Sequence, residues 1–237
     1  DTASVYGNEK TVGRAVRESS IPREEIFITS KVWNTDQGYE STLSAFDASL
    51  NRLETDYLDL YLIHWPIPAG YEKDYRDLNR ETWKAMERLY KEGQARAIGV
   101  SNFLPRHLEA LMEQADTIPM VNQLEINPRY HQTEAVAFCR EHGILVESWG
   151  PLARGGVLEE PVLRRIADKH KKSVAQICLR WELQRGIVPL PKSVHADRIK
   201  ANLDVFGFSL DGEDMALIDT LDAPGHYSIH PDHLSEE

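Results

Sequence analysis

The sequence lacks the features that would point to an oxidising compartment, a membrane or nucleic acid. Its 237 residues include only two cysteines, Cys139 and Cys178, without a second thiol near either, which predicts a reducing, cytoplasmic location. No run approaches the roughly 18 apolar residues of a membrane-spanning helix. Lysine and arginine number 27 against 38 acidic residues, and the net charge of −11 argues against nucleic acid or an anionic membrane as a partner.

A glycine-rich phosphate loop is also missing, because no G-x-G-x-x-G follows a predicted strand. Strand and helix patterns instead alternate along the whole chain without a Ser/Gly linker, which predicts one domain over residues 1–237. The predicted strands are 26–32, 57–65, 95–101, 121–126, 144–149 and 186–191, and the predicted helices lie near 10–19, 39–53, 80–92, 105–114, 131–142 and 160–185. Gly93, Gly143 and Gly186 suit the left-handed ends of three of these helices.

The apolar strand patterns are nearly continuous on both faces, which indicates parallel strands covered by helices in an open sheet or a closed barrel. Polar or aromatic residues finish nearly every predicted strand, and this distribution favours a (β/α)₈ TIM barrel, in which the carboxyl ends of the strands carry the site. These residues are Lys31, His64, Ser101, Asn102, Gln123 to Asn127, Trp149, Lys192 and Ser193. Six strands leave such a barrel incomplete, so its first strand, its first helix and most of its second strand are expected to be missing from this N-terminally incomplete sequence.

Four side chains form the sharpest constellation, at the N-terminus and at two predicted strand ends: Asp1, Tyr6, Lys31 and His64. A carbonyl that accepts a hydride at carbon develops negative charge on its oxygen, so it needs a proton donor nearby. Tyr6 is the candidate acid, and a Lys31 ammonium nearby is expected to lower its pKa by favouring the phenolate. Asp1 would keep Lys31 charged, and His64 would donate to the same oxygen and orient the substrate.

The chain resembles the aldo-keto reductase family in five segments that occur in the same order. They read DTA and YGNE within residues 1–9, FITSK at 27–31, LIHWP at 62–66, GVSNF at 99–103 and PKSV at 191–194. The segment ESWGPL at 147–152 and the tail HPD at 230–232 are most similar to bacterial reductases of 2,5-diketo-D-gluconate and similar small carbonyls. The resemblance implies a barrel reductase in which Asp1, Tyr6, Lys31 and His64 have the four roles given above.

Each of the four residues also has a plainer interpretation. In that interpretation, Tyr6 would pack on Val5 and Lys31 would reach solvent from a strand end. Asp1 would be a frayed terminus, and His64 would be a core imidazole bonded to backbone. Their shared placement at successive strand ends, together with the family match, favours catalysis over four unrelated structural roles.

The expected cofactor is NADPH. Lys192, Ser193 and Arg198 form a local cluster of donors where the last predicted strand meets a helix start, a setting suited to phosphate in an otherwise acidic chain. The resemblance implies that these three bind the 2′-phosphate, with help from the backbone of Val194, and that Asn202 binds the adenine. The plainer interpretation is a solvated helix face.

The nicotinamide end of the cofactor calls for amide and aromatic groups. Ser101, Asn102 and Gln123 supply hydrogen-bonding partners for a carboxamide, and Trp149 offers a flat face for ring stacking, although it equally suits core packing. Residues 150–152 (Gly150, Pro151 and Leu152) open a loop that would cover the pyrophosphate, with Arg154 near it.

The substrate is expected above Tyr6 and His64, between walls formed by Trp33 and Trp65 and by His226 or Tyr227 of the tail. Such a pocket suits small aldehydes, ketones and keto-sugars. No metal site is expected, because the tail histidines His226, His230 and His233 lack a cysteine or a supporting shell.

Three alternatives remain open from the sequence. The chain is a catalytically silent nucleotide-binding or structural member of the fold, an inactive barrel fragment that swaps with another copy, or an unrelated barrel enzyme such as a phosphate-handling isomerase or an aldolase. The intact group Tyr6, Lys31 and His64 argues against the first alternative. The joint match of this group and Asp1 to the aldo-keto reductase family argues against the last. The main hypothesis is a monomeric reductase that acts on a small-molecule carbonyl.

Overall fold

The computed structural model of the chain describes residues 1–223 and 228–232. Within these residues six strands form one parallel sheet, in the order in which they occur along the chain. The strands are β1 (Thr29–Val32), β2 (Leu60–Ile63), β3 (Ile98–Ser101), β4 (Val121–Glu125), β5 (Leu145–Trp149) and β6 (Val188–Pro189). The predicted class, an α/β fold with parallel strands and intervening helices, is confirmed.

Helices follow the strands throughout the described chain. They are α1 (Glu9–Glu18), α2 (Tyr39–Leu53), α3 (Tyr75–Lys91), α4 (Pro105–Met112), α5 (Thr133–Glu141), α6 (Pro161–His170), α7 (Val174–Gln184), α8 (Ala196–Leu203) and α9 (Gly212–Asp219). In the part of the chain described here, no helix has the length and apolar character needed to cross a bilayer.

The chain divides into two compact units, and the first contains β1, β2 and β3. It comprises Asp1–Asn122, Glu141–Ile144 and the described residues from Ile229 onward. Its strands pair in parallel register, with Thr29 opposite Leu60 and Tyr61 opposite Ile98. Helix α2 covers them with a buried stripe of Thr42, Phe46, Ser49 and Leu53, two apolar and two small polar residues.

The observed strands of this unit begin later than predicted, because a side chain replaces the ladder at their entrances. The Arg23 guanidinium donates to the carbonyl oxygens of Ile26 at 2.6 Å and of Tyr57 at 3.0 Å. These carbonyls therefore need no partner in a neighbouring strand. Regular pairing of β1 with β2 starts at Thr29 and Leu60, and an isolated parallel bridge between Leu58 and Ala95 precedes the pairing of β2 with β3.

The second unit comprises Gln123–Arg140 and Leu145–Ser228, apart from the undescribed residues 224–227. Its strands β5 and β6 pair in parallel with Glu147 opposite Val188 and Ser148 opposite Pro189. Strand β6 is shorter than the predicted 186–191. Pro189 contributes to this, because proline has no N–H to donate to a ladder.

The predicted helix 160–185 is wrong, because it is two helices. Lys171 takes a left-handed φ of 53° and ends α6, and Ser173 caps α7 by accepting from the backbone N–H of Gln176 at 3.2 Å. Helices α8 and α9 have no predicted bounds, although a helix start is expected after the last predicted strand. No residue of α8 is buried, so its sequence carries no core-facing apolar stripe.

Candidate active site

The structure brings Tyr6, Lys31 and His64 together in the first unit. Tyr6 ends a short 3₁₀ turn, Lys31 lies on β1 and His64 follows β2. The Tyr6 hydroxyl lies 3.3 Å from Nε2 of His64, and the two rings meet edge to face at 5.5 Å. The Lys31 Nζ lies 5.3 Å from the centre of the Tyr6 ring. A phenol, an imidazole and an ammonium therefore share one small space.

Lys31 is completely buried, and Asp1 forms an ion pair with it. Its Nζ donates to Oδ1 of Asp1 at 2.7 Å and to the carbonyl oxygen of Thr2 at 3.0 Å. The interpretations of Lys31 as a solvent-reaching charge and of Asp1 as a frayed terminus are therefore wrong. A buried ammonium is costly unless it is paired and hydrogen-bonded, so Asp1 and Thr2 allow the charge to sit beside Tyr6.

Burial controls the protonation of the two groups in contact. Burial, with a smaller effect of the Lys31 charge, lowers the pKa of His64 to about 3, so the imidazole is neutral at neutral pH. Burial raises the pKa of Tyr6, so its phenol keeps its proton. The direction is opposite to the expected lowering of the Tyr6 pKa by Lys31, because the Lys31 charge is engaged by Asp1 and the Thr2 carbonyl. A role of Lys31 in tuning Tyr6 during the reaction stays a prediction.

The segment that carries Tyr6 is fastened to β1 on both sides of the tyrosine. The Ser4 hydroxyl donates to the carbonyl oxygen of Lys31 at 3.2 Å. Beyond Tyr6, Glu9 is buried and accepts from the Ser30 hydroxyl at 2.6 Å and from Nε of Arg52 at 2.5 Å. Sequence reasoning did not assign these supporting residues, although Glu9 belongs to the YGNE segment of the resemblance.

Two tryptophans adjoin His64. The Trp33 ring meets the imidazole edge to face at 5.1 Å, and the Trp65 ring lies nearly parallel to it at 6.3 Å. Trp33 is half-buried, whereas Trp65 is only 6% exposed. Trp33 is therefore the more accessible of the two expected walls. The other expected wall residues, His226 and Tyr227, lie outside the described residues.

Ser101 and Asn102 are buried in the same unit as Tyr6, Lys31 and His64. Asn102 has a left-handed φ of 64°, and its Nδ2 donates to the carbonyl oxygen of His64 at 3.0 Å and to the Ser101 hydroxyl at 3.1 Å. The amide of Asn102 is thus held next to the backbone of a candidate catalytic residue.

In the second unit, Gln123 on β4 is buried and its Nε2 donates to Oε2 of Glu147 on β5 at 2.9 Å. Trp149, at the end of β5, is half-buried, which leaves part of its ring available for contact. Gly150 follows with a φ of 66°, a conformation that turns the chain directly after the strand. Pro151 is buried and Leu152 half-buried, while Arg154 is exposed.

The predicted phosphate cluster lies between β6 and α8. Lys192, Val194 and Arg198 are exposed, and Ser193 and Asn202 are half-buried. Within the described residues, neither Lys192 nor Arg198 forms an ion pair. Two free cations close to a helix N-terminus are compatible both with an anion site and with a solvated helix face.

The described histidines do not form a metal site. Across residues 1–223 and 228–232, no group of three or more His, Cys, Asp or Glu side chains is arranged to hold a metal ion. His233, like His226, lies outside the described residues. In the tail segment, Asp232 instead pairs with Arg106 and lies 3.1 Å from Nε2 of the buried His107 on α4.

Comparison with known proteins places these features in one family. A model of the aldo/keto reductase family matches residues 1–223. The glyoxal reductase of Bacillus subtilis (strain 168) is 54% identical over 234 residues, which cover 99% of this chain and 82% of that protein. Among solved structures, a variant of Gox0644 in complex with NADPH matches with a TM-score of 0.91 and 42% identity, over 99% of this chain and 83% of that one. A putative 2,5-diketo-D-gluconic acid reductase B matches with a TM-score of 0.92 and 34% identity, over 100% of this chain and 82% of that one. The chain therefore belongs to the aldo/keto reductase family of oxidoreductases.

Proposed function

We propose that this protein uses NADPH to reduce the carbonyl of a small aldehyde, ketone or keto-sugar, and that Tyr6 donates the proton. The observation that carries the proposal is the contact of the Tyr6 hydroxyl with Nε2 of His64 at 3.3 Å, beside the buried ion pair of Lys31 and Asp1. Family membership and the NADPH complex of a related structure support the same reaction.

Tyr6 has the protonation state that the reaction needs. NADPH, when bound, supplies a hydride to the carbonyl carbon, and the oxygen then requires a proton. Because burial raises the pKa of Tyr6, its phenol is protonated over the neutral range and is available as the acid. His64 is neutral, and its Nε2 lies 3.3 Å from the Tyr6 hydroxyl. In the Nε2–H tautomer it donates its single N–H to the carbonyl oxygen of the substrate and orients the carbonyl.

Lys31 and Asp1 act on the phenolate that remains after the transfer. The Lys31 ammonium lies 5.3 Å from the centre of the Tyr6 ring, where a positive charge stabilises a developing negative charge. Asp1 holds that ammonium in place through the 2.7 Å hydrogen bond. Loss of Asp1 would leave Lys31 buried without its ion-pair partner.

The residues expected at the nicotinamide end fit NADPH in their chemistry. Asn102 and Gln123 are buried side-chain amides, which offer both donors and acceptors to a carboxamide, and Ser101 adds a hydroxyl. Trp149 presents a half-buried ring for stacking. Gly150, Pro151 and Leu152 follow as the loop proposed for the pyrophosphate, with Arg154 exposed beside them.

The phosphate end also fits NADPH. In a chain with a net charge of −11, Lys192 and Arg198 remain exposed and form no ion pair within the described residues. We assign them to the 2′-phosphate together with Ser193 and the backbone of Val194, and Asn202 to the adenine. A 2′-phosphate would supply the counter-charge that these two cations lack.

The walls of the site and the relatives support the proposed substrate class. Trp33 and His64 present aromatic surface beside Tyr6 rather than charged groups, which favours small neutral carbonyls. The similarity to a glyoxal reductase makes glyoxal the first substrate to test. We further propose that the protein is a cytoplasmic monomer, in which Cys139 and Cys178 stay as buried free thiols.

The test separates binding from chemistry. NADPH is titrated against the protein by tryptophan fluorescence, glyoxal is added, and the loss of NADPH absorbance is followed. We expect Tyr6→Phe to bind NADPH like the parent and to lower turnover by about 10²–10⁴-fold, the contribution of a positioned acid. Tyr71→Phe is the matched control, because Tyr71 is 47% exposed, close to the 50% of Tyr6, and should change neither quantity.

Each outcome has a separate meaning. Turnover by Tyr6→Phe at the parental rate would refute the assignment of the proton donor. Binding of NADPH by the parent without oxidation of any carbonyl tested would favour the silent nucleotide-binding member of the fold. Absence of NADPH binding, with a swapped oligomer in gel filtration, would favour the inactive fragment.

A further inference from the structure

We propose that Glu147 is a positioning residue that fixes the orientation of the Gln123 side-chain amide, and that this orientation makes Gln123 selective for the carboxamide of the cofactor. The inference rests on the proposed function, in which Gln123 contacts the nicotinamide end of NADPH. Gln123 is 2% exposed on β4, Glu147 is 8% exposed on β5, and Nε2 of Gln123 donates to Oε2 of Glu147 at 2.9 Å.

The chemistry of the pair allows only one orientation of the amide. A glutamine side chain ends in an oxygen that accepts and an NH₂ group that donates, and the two ends have almost the same shape. The Oε2 atom of Glu147 accepts from this NH₂ end, and the same carboxyl oxygen would repel the amide oxygen. Glu147 therefore selects between two orientations of Gln123 that shape alone does not distinguish.

Strand geometry places this pair where a cofactor-facing role is possible. Side chains two residues apart on a strand share a face, so Glu147 lies on the same face of β5 as Trp149. Ser148, between them, belongs to the opposite face, where its hydroxyl donates to the buried Glu182. Glu147 and Trp149 thus belong to the face for which the nicotinamide contact is proposed.

The one carboxylate of β4, that of Glu125, is engaged elsewhere. Glu125 accepts hydrogen bonds from the backbone N–H of Ser228 at 2.8 Å and from its hydroxyl at 2.9 Å. Its role in this structure is thus to hold the tail at Ser228, and the carboxylate that Gln123 contacts is Glu147. This difference assigns the orienting function to Glu147 specifically.

An amide of fixed polarity can recognise a group of matching polarity. A carboxamide offers an NH₂ and an oxygen in set positions, whereas an acetyl group offers the oxygen and a methyl. If Gln123 is held in one orientation, replacement of the carboxamide NH₂ by methyl leaves a buried polar group without its partner, which weakens binding. If Gln123 is free to turn, part of that discrimination is lost.

The experiment compares two cofactors by fluorescence titration of the whole protein. The dissociation constants of NADPH and of its reduced 3-acetylpyridine analogue, which carries methyl in place of the carboxamide NH₂, are measured without substrate. We expect the parent to prefer NADPH by about 10-fold. Glu147→Ala should reduce the preference below about 3-fold, because nothing then selects the amide orientation, and Glu147→Asp should recover part of it.

Variants separate this role from general effects on folding. Glu147→Gln keeps the size of the side chain but can present either end to Gln123, so we expect an intermediate preference from a folded protein. Glu134→Ala, an exposed carboxylate on α5, is the matched control and should keep the parental preference. A purely structural role of Glu147 would weaken binding of both cofactors equally and leave their ratio unchanged.

Gln123→Ala distinguishes failure of the inference from failure of the function on which it rests. If Gln123→Ala loses the preference while both Glu147→Ala and Glu147→Gln keep it, the positioning role is overturned and the cofactor contact of Gln123 stands. If Gln123→Ala keeps the parental preference, both the contact and the positioning role are wrong. Loss of preference in Gln123→Ala and Glu147→Ala, with the control unchanged, supports both.

Discussion

Burial of the neutral His64 imidazole should lower the free energy of unfolding in mild acid. The pKa of His64 falls from its ordinary value of 6.5 to about 3, first because the ring is buried and second because Lys31 is close. The unfolded chain therefore binds a proton at His64 below about pH 6.5, whereas the folded chain does not until about pH 3. Where the unfolded state binds more protons, stability rises with pH and is lost as pH falls.

The magnitude follows from the two pKa values. At pH 7 the unfolded His64 is largely neutral and the difference between the states is small. At pH 5 almost every unfolded molecule carries the proton and almost no folded molecule does. Linkage then gives a loss of about 2 kcal/mol in the free energy of unfolding between pH 7 and pH 5 from this one side chain.

His64→Gln removes the titration and keeps a polar side chain of similar size. Urea unfolding, followed by tryptophan fluorescence and circular dichroism at pH 7 and at pH 5, gives the free energy of unfolding of both proteins. The parent should lose about 2 kcal/mol more than the variant over this interval. Other buried histidines, such as His107, titrate in both proteins and cancel in the difference. Equal losses in parent and variant would show that His64 is not a buried neutral imidazole in the folded state.

Two further substitutions should lower stability for different physical reasons. In Gly99→Ala, the added Cβ would lie 2.5 Å from the carbonyl oxygen of Val121, and the required shift of backbone should cost about 1–3 kcal/mol in the free energy of unfolding. Arg52→Ala should cost about 3 kcal/mol in the same urea assay, because it removes the ion-pair partner of Glu9, a carboxylate that is 1% exposed.

Each of these substitutions has a control within the chain. Gly207→Ala introduces a Cβ that meets no atom within 4 Å, so its free energy of unfolding should stay close to the parental value. Arg17→Ala breaks the pair with Glu54, whose side chains are 45% and 56% exposed, and should cost less than about 1 kcal/mol. If Gly207→Ala lowers the free energy of unfolding as much as Gly99→Ala, close packing is not the cause of the loss. If Arg17→Ala lowers it as much as Arg52→Ala, burial of the charge is not the cause.

The candidate site could be predicted from the sequence because its chemistry sits at strand ends and in short ordered motifs. Lys31 and His64 finish two apolar runs, and Tyr6 precedes the first helix within a motif of the resemblance. What the pattern could not show was how the charge of Lys31 is accommodated. The full burial of Lys31 and its hydrogen bond to the Thr2 carbonyl depend on tertiary packing, and a backbone partner leaves no signal in side-chain identity.

Element boundaries were harder to predict because polar contacts set them. Arg23 binds the carbonyl oxygens of Ile26 and Tyr57, just before the first residues of β1 and β2. Apolar periodicity carries no information about such a contact. The break between α6 and α7 did leave a signal: Ser173 followed by Gln176 at the third position is a capping box, which marks a helix start inside the predicted helix. Helix α8, with no buried residue, offers no periodic signal.

The groups of the candidate site depend on one another in a definite order. Asp1 supplies the counter-charge that lets Lys31 remain an ammonium while it is fully buried. The Lys31 charge, added to burial, keeps His64 neutral. A neutral imidazole in the Nε2–H tautomer donates one N–H and takes no proton from the phenol, so Tyr6 keeps the proton that the proposed reaction transfers. A substitution at Asp1 should therefore act on catalysis through Lys31 and His64. In the proposed mechanism, the ion pair at one side of the site thus adds to the effect of burial in keeping His64 neutral beside the Tyr6 phenol.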